Sequence, residues 1–268
     1  MWQRRAVGSI LCAMRGAIRG AMYGAMWMGM SGLAGLASLA SLACLACLSP
    51  AHAQGPSGAP TQDFVAPAAG SYALPPIQAA ADGWVLEGNR LPRRLSRYTH
   101  GSLTLLSFIY TYCTDPIGCP LAYATFDTVK RRVLADPALR GQVRLVSLSF
   151  DPLNDTPEAM HAYGGEHARS TELPWHFLST YSTKFLKPIL DDFGQDVEIE
   201  LDSNGAPTRA RAHMLKVFLL DRRGQVREIY SAAFLHPEVI LNDLKTLALE
   251  SARKAARKSP TKPGPPPG

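Results

Sequence analysis

From about residue 84 onward, the apolar positions of this chain alternate between patterns typical of strands and patterns typical of helices. Short apolar runs predict strands, whereas apolar residues spaced three or four apart predict helices. The predicted strands cover residues 103–109, 143–150, 175–178, 214–220 and 225–231. The predicted helices cover residues 121–135, 157–167, 182–193 and 237–255. Strands and helices thus follow one another over about 170 residues, the length of a single domain.

This order of elements predicts an α/β domain at residues 83–250, with a mixed central sheet flanked by helices on both faces. Residues 221–224 have the composition of a tight turn and predict a hairpin between the last two strands. Residues 84–88 and the stretch that follows predict a strand or hairpin that extends the domain at its N-terminal side.

The first 53 residues have the composition of an export signal. Four arginines precede a long run rich in Ala, Leu, Met and Gly, and no charged residue follows until Asp63. Ala51 and Ala53 form the small-residue pattern of a cleavage site. A second interpretation stays open, because residues 20–48 are uncharged and exceed the about 20 residues that span a bilayer. The protein is therefore predicted to be exported to the bacterial periplasm, either soluble or anchored by an uncleaved N-terminus.

Two further segments lack apolar periodicity. Residues 54–82 are rich in Pro, Gly and Ala and predict a flexible linker, and residues 251–268 predict a disordered, basic, Pro-rich tail. The formal net charge of +6 resides in these terminal parts: without four leader arginines and five basic tail residues, 19 basic residues stand against 22 acidic ones. The charge of the folded part thus gives no indication of a nucleic-acid partner.

The candidate chemistry lies at two cysteines between the first long strand and the first long helix. Cys113 and Cys119 follow the apolar run at 103–109, and Pro120 suits the first position of a helix. Cys119 is thus expected at a helix N-terminus, where the macrodipole and free N–H groups favour a thiolate. Such a thiolate serves as a nucleophile or as a ligand for a soft metal.

The other three cysteines, Cys12, Cys44 and Cys47, lie in the leader, so the mature chain keeps one pair. A pair in an exported protein forms a structural disulfide, a redox couple or part of a metal site. A bridge that closes so short a loop stabilises little, which favours the two chemical roles. A thiol that reacts with an oxidant, as in a peroxidase, is a further alternative.

A third metal donor is expected among the histidines. His213 directly precedes the predicted strand 214–220, so the fold can bring it beside the start of the first helix. His161 and His167, six residues apart on a predicted helix, are expected to be solvated. Asp151 ends the strand 143–150, where a capping or turn role is expected, and Thr156 is expected to cap the next helix.

These motifs together resemble the Sco/SenC family over about residues 84–249. The resemblance is carried by Phe-x-Tyr-Thr-x-Cys-x-Asp at 108–115 with Cys119-Pro120, by Ser-x-Asp-Pro-x-x-Asp-Thr-Pro at 149–157, and by His213 before a strand ending in Leu-Asp-x-x-Gly at 220–224. The chain departs from the family pattern in two places. Five residues rather than three separate the cysteines, and Ala212 stands where the family frequently has Asp.

The resemblance implies a thioredoxin-like fold and a role in copper handling for cytochrome c oxidase. By position, Cys113, Cys119 and His213 match the family's ligands for Cu(I) or Cu(II). The implied function is a metallochaperone for the copper A centre, with the copper-accepting oxidase subunit as partner. The alternative is a thiol-disulfide oxidoreductase in which Cys113 and Cys119 are the redox residues, acting on the apo-oxidase subunit or another exported partner. Other periplasmic copper carriers or thiol reductases are further implied partners.

Overall fold

A six-stranded mixed sheet forms the centre of this protein in the computed structural model, which describes residues 64–88 and 91–258. The predicted signal or anchor at residues 1–53 and the chain beyond residue 258 lie outside the described residues. Within the described residues, no helix combines the length and the apolar character needed to cross a membrane.

The strands are β1 (Gln78–Ala79), β2 (Trp84–Leu86), β3 (Pro92–Arg94), β4 (Leu103–Ile109), β5 (Val143–Ser149), β6 (Trp175–Leu178), β7 (Val197–Leu201), β8 (Pro207–His213), β9 (Lys216–Leu220) and β10 (Gln225–Ser231). The helices are α1 (Ser96–Thr99), α2 (Cys119–Ala135), α3 (Pro157–Gly164), α4 (Thr183–Phe193) and α5 (Pro237–Lys258). The central sheet has the order β1-β10-β9-β4-β5-β6. Strands β4, β5 and β6 are parallel, whereas β9 and β10 are antiparallel to their neighbours.

Helices cover both faces of this sheet, as the sequence predicts. On one face, Phe126 of α2 contacts Trp175 of β6 at a ring separation of 5.7 Å. On the other face, Phe193 of α4 contacts Phe108 of β4 and Phe218 of β9 at 5.4 and 4.9 Å. All seven residues of β4 are buried, because this strand lies inside the sheet and between the two helical layers. The predicted α/β fold is confirmed.

Most predicted elements are present with small shifts at their ends. Strand β5 ends at Ser149, one residue early, and α3 ends at Gly164 rather than continuing to residue 167. Gly165 stops α3 by adopting a positive φ of 54°, and a separate 3-10 turn follows at His167–Arg169. Thr156 caps α3 by accepting a hydrogen bond from the Ala159 N–H, as expected.

The β7–β8 hairpin has no counterpart in the sequence prediction. Its strands form a separate two-stranded sheet in which Val197 pairs with His213, and its turn contains Gly205 at a φ of +78°. The alternation Val-Glu-Ile-Glu-Leu at 197–201 carries the period of a strand. The hairpin matters for function because His213 is the last residue of β8.

The two predicted terminal segments are more ordered than their composition indicates. Within the predicted linker, Leu74 is buried and β1 pairs with β10. The buried side chain of Arg227 donates to the carbonyl of Leu74 over 2.6 Å, and the Tyr72 hydroxyl donates to Asp243. At the other end, α5 continues to Lys258 instead of stopping near 255. Hydrogen bonds fix this part of the predicted linker to the domain. Its sequence has no apolar periodicity, which is the signal on which the prediction of order depends.

Candidate metal centre

The two cysteines lie on a turn between β4 and α2. The N–H of Cys113 donates to the carbonyl of Tyr110 over 3.3 Å, and the N–H of Gly118 donates to the carbonyl of Asp115 over 3.0 Å. Helix α2 then begins at Cys119. Cys119 is fully buried and Cys113 is partly exposed, and neither is in a disulfide. The five intervening residues thus fold back and bring the two sulfurs into hydrogen-bonding contact.

Gly118 allows this close approach. A Cβ at residue 118 would lie 3.2 Å from the Sγ of Cys113 and 3.3 Å from the carbonyl oxygen of Asp115. Contacts this short force a neighbour to move, and the Asp115 carbonyl is backbone that cannot shift freely. Glycine therefore leaves the space that the Cys113 sulfur needs beside the start of α2.

The electrostatics of the pair differ between the two sulfurs. A hydrogen bond from the Cys119 thiol, together with backbone N–H groups of Cys119 and Asp115, lowers the pKa of Cys113 to about 6 despite partial burial. Donation of that hydrogen bond and burial raise the pKa of Cys119 above its ordinary value. The pair thus consists of a Cys113 thiolate that accepts a hydrogen bond from the Cys119 thiol.

This arrangement corrects the expectation that Cys119 carries the thiolate. Cys119 does occupy the helix N-terminus, but its side chain is fully buried, and burial disfavours the charged form. The N–H group of Cys119 instead donates to the Cys113 sulfur. The helix terminus therefore stabilises a negative charge on the neighbouring cysteine.

His213 lies beside the pair because the β7–β8 hairpin places it there. Its Nε2 is 3.9 Å from the Sγ of Cys119, and its Nδ1 is 3.1 Å from the carbonyl oxygen of Arg211. Since a carbonyl accepts hydrogen bonds, Nδ1 carries the proton and the Nε2 lone pair faces the sulfur. The ring also packs on Phe150 at 4.8 Å, which limits its rotation.

The three side chains have the chemistry of a soft-metal site. Thiolate and imidazole bind a first-row ion such as zinc at about 2.3 and 2.0 Å, so two such donors on one ion lie about 3.5–4 Å apart. The 3.9 Å between Cys119 and His213 is within this range. Among the described residues, no three His, Cys, Asp or Glu side chains form a preassembled metal cluster. The candidate donors are instead joined in pairs through Cys119.

Asp155 fixes the start of the turn that carries the two cysteines. Its buried carboxylate accepts hydrogen bonds from the Thr111 N–H at 3.0 Å, the Thr111 hydroxyl at 2.6 Å and the Ser149 hydroxyl at 2.6 Å. Thr111 is two residues from Cys113, so this carboxylate ties the turn to the end of β5. Sequence reasoning noted Asp155 only as part of a motif and assigned it no such role.

Asp151 and Arg211 form a buried ion pair that holds the hairpin. The Arg211 guanidinium lies 3.2 Å from the Asp151 carboxylate, and the two side chains are only 10% and 3% exposed. The backbone N–H of Arg211 also donates to the Tyr110 hydroxyl over 3.4 Å. Asp151 accepts from the Asn154 amide as well, in keeping with its expected turn role. Sequence reasoning missed Arg211, whose charge two residues before His213 was the available signal.

Comparison with known families identifies the family of this chain. The SCO1/SenC family model matches residues 92–249, which is more than half of the chain. The chain belongs to the SCO1/SenC family. Comparison with curated proteins gives no significant match.

Solved structures share the fold at low identity. A SCO1/SenC family lipoprotein from Bacillus anthracis matches 65% of this chain and 97% of its own, with 24% identity and a TM-score of 0.53. Bradyrhizobium japonicum ScoI with copper bound matches 63% of this chain and 99% of its own, with 22% identity and a TM-score of 0.51. Arabidopsis thaliana ScoI with copper bound matches 65% and 99%, with 17% identity and a TM-score of 0.51. These likenesses confirm the thioredoxin-like fold of the SCO1/SenC family.

The departure from the SCO1/SenC pattern at Ala212 has a structural setting. The exposed side chain of Ala212 is a methyl group, which cannot form a hydrogen bond with His213. The carbonyl of Arg211 supplies the contact to the ring instead. Orientation of the histidine therefore depends on the backbone of β8 and on the ion pair that holds it.

Four other histidines among the described residues of this SCO1/SenC chain have other surroundings. His176 contacts Glu87 at 2.7 Å, and His236 contacts the Ala233 carbonyl at 3.1 Å. His161 is exposed, as expected. His167, expected to be solvated, packs against Trp175 at a ring separation of 4.7 Å, with the rings tilted by 37°.

An open groove of about 610 Å³ gives access to the centre from solvent. It is lined by Asp115, Ile117, Gly118, His213, Met214, Leu215 and residues 231–233. Ile117 and Met214 are exposed apolar side chains on its wall. The groove thus exposes the His213 side of the donor set to solvent.

Proposed function

We propose that this protein binds copper through Cys113, Cys119 and His213 and delivers it during assembly of the copper A centre of cytochrome c oxidase. The observation that carries the proposal is the 3.9 Å contact between His213 and Cys119, combined with the contact between the two sulfurs. The SCO1/SenC family is associated with cytochrome c oxidase assembly and copper binding. Two solved structures of similar fold, from Bradyrhizobium japonicum and Arabidopsis thaliana, contain copper.

The donor set suits copper as a cargo. Thiolates are soft ligands that favour Cu(I), and imidazole accepts both Cu(I) and Cu(II). Cys113 is already inclined to ionise, since its pKa is lowered to about 6 by the hydrogen bonds at its sulfur. Partial exposure of Cys113 and His213 leaves room for ligands of a recipient protein to replace them one at a time.

The recipient that fits this role is the copper-accepting subunit of the oxidase. An exported location follows from the composition of residues 1–53, with the domain either released into the periplasm or held at the membrane. Other periplasmic copper carriers would supply the cargo.

A thiol-disulfide oxidoreductase is the second candidate, and the asymmetry of the two cysteines favours it. The Cys113 thiolate would attack a disulfide of the partner, forming a mixed disulfide and releasing one partner thiolate. Cys119 would then lose its proton and attack Cys113, which forms an intramolecular disulfide and releases the second partner thiol. Two electrons and the Cys119 proton pass to the partner, whose first-released thiolate takes a proton from solvent, and an exported thiol reductase must restore the pair.

One experiment separates the two candidates. The protein is loaded with one equivalent of Cu(I) and mixed with the reduced, metal-free copper A domain, and transfer is followed by the visible absorption of the centre after oxidation. His213→Ala should lower transfer strongly while leaving reduction of a disulfide in that domain intact. Cys113→Ser should abolish both. Equal transfer by His213→Ala and the wild type would exclude His213 as a ligand, whereas no transfer by the wild type, with disulfide reduction intact, would exclude the copper proposal and leave the oxidoreductase.

A further inference from the structure

Met214 follows His213 directly and lines the same groove. Its side chain is 65% exposed. Residues next to each other in a strand point to opposite faces, but β8 ends at His213, so Met214 lies in the connection to β9. The imidazole and the thioether therefore both reach the groove.

The backbone at Met214 is held in place even though its side chain is exposed. The buried side-chain amide of Gln195 donates from Nε2 to the Met214 carbonyl over 3.0 Å. The next residue, Leu215, is buried in the core. The main chain is thus fixed between His213 and Leu215, while the three rotatable bonds of the methionine stay free to move.

The chemistry of the side chain is specific. A thioether is a soft donor that selects Cu(I) over harder ions, and it carries no charge or proton. Contacts join Cys119 to Cys113 and to His213. The groove lined by His213 and Met214 leaves space for a further soft ligand on that side. The alternative is that Met214 is a solvent-exposed side chain with no role in metal binding.

We propose that Met214 is an additional ligand for Cu(I) on the groove side of the centre, where it holds the ion during exchange with a recipient. This inference rests on the proposed copper binding by Cys113, Cys119 and His213. The thioether would bind Cu(I) together with those ligands and would keep the ion bound when a recipient displaces one of them, and it would not bind Cu(II) appreciably. Met214 thus gives the centre a preference for the reduced ion.

X-ray absorption at the copper edge tests this on the full chain labelled with selenomethionine. The chain has eight methionines, and two of them, Met160 and Met214, lie in the described residues. One equivalent of Cu(I) should give copper–selenium scattering in the wild type and in Met160→Leu, whose methionine is buried in α3. Met214→Leu should lose that scattering and keep the copper–sulfur scattering of the cysteines.

A competition titration gives a second readout. Met214→Leu should weaken Cu(I) binding by about tenfold, the lower end of what a supporting contact contributes to a metal site. Its midpoint of urea unfolding should be unchanged, because the side chain is exposed. Copper–sulfur scattering without copper–selenium scattering, or scattering that persists in Met214→Leu, would overturn this inference alone. Absence of any bound copper in the wild type would instead overturn the proposed function.

Discussion

The Nε2 of His213 lies 3.9 Å from the Sγ of Cys119, although 94 positions separate the two residues in the chain. The cysteine comes from the first turn of α2 and the histidine from the last residue of β8. The central sheet does not fix the position of β8 relative to α2, because β7 and β8 form a separate two-stranded sheet. The centre therefore depends on the polar contacts that fix the cysteine turn and the hairpin.

The two cysteines should differ in reactivity. Hydrogen bonds from Cys119 and nearby N–H groups lower the pKa of Cys113 to about 6, so this residue is mainly thiolate at neutral pH. In metal-free, reduced protein, iodoacetamide should modify Cys113 before Cys119, with a rate that rises to half its plateau near pH 6. Mass spectrometry of the peptides after short reaction times measures the order, and first modification at Cys119 would contradict the assignment.

Asp155 should be required for stability. Asp155→Ala removes the acceptor of two hydrogen bonds from Thr111 and one from Ser149, and it leaves buried donors without partners. We expect the free energy of unfolding to fall by about 3 kcal/mol, as measured by urea denaturation. Asp192→Ala, at an exposed aspartate of α4, serves as the control and should change it by less than about 0.5 kcal/mol. An equal, small effect of both variants would show that the Asp155 contacts add little.

The Asp151–Arg211 pair should couple hairpin position to metal binding. Asp151→Ala leaves the buried Arg211 cation unpaired, which costs about 3–5 kcal/mol of stability. The double variant Asp151→Ala/Arg211→Ala should cost less than the sum of the two single variants, because it removes both charges. Each single variant should also weaken Cu(I) binding, since the Arg211 carbonyl orients His213. Additive stability effects together with unchanged Cu(I) affinity would contradict this coupling.

Glu87 should contribute to the loss of stability in acid. Burial on its own would raise the pKa of Glu87, but hydrogen bonds from His176 and Tyr98 outweigh it and lower the pKa below its ordinary 4.5. A carboxyl whose pKa is lowered by folding stabilises the protein above its unfolded pKa, and that stabilisation is lost as the pH falls through the folded pKa.

The free energy of unfolding of the wild type should therefore drop more than that of Glu87→Gln between about pH 7 and about pH 3. Urea denaturation at both pH values measures the difference. Glu200→Gln, at an exposed position of β7, is the matched control and should follow the wild type. Parallel curves for the wild type and Glu87→Gln would show that the lowered pKa contributes nothing to acid stability.

The central sheet could be predicted from the sequence because its strands are apolar throughout. Strand β4 is buried at every position, so its run of Leu, Ile and Phe carries a strong signal. The β7–β8 hairpin was missed because all residues of its two strands are exposed or only partly buried, so they lack the continuous apolar run that marks the central strands. The segment around Leu74 was missed because single hydrogen bonds, such as that from Arg227, hold it. Contacts of this kind leave no periodic pattern in a sequence.

The sequence predicts which residues make up the candidate site, but it does not predict which of the two cysteines carries the negative charge. Spacing and resemblance point to Cys113, Cys119 and His213, and the structure brings them together in pairs. Which sulfur ionises depends on burial and on which N–H groups reach it, and neither can be read from the order of residues. The same holds for Arg211, whose partner Asp151 lies on a different element.

A competition titration with Cu(I) on the reduced protein tests the central claim most directly. The wild type should retain one Cu(I) per chain against a chelator, and His213→Ala should bind at least about tenfold more weakly. His161→Ala, at an exposed histidine of α3, should behave like the wild type, and protein with a Cys113–Cys119 disulfide should retain no copper. Failure of the reduced wild type to retain copper, or equal retention by His213→Ala, would contradict the account.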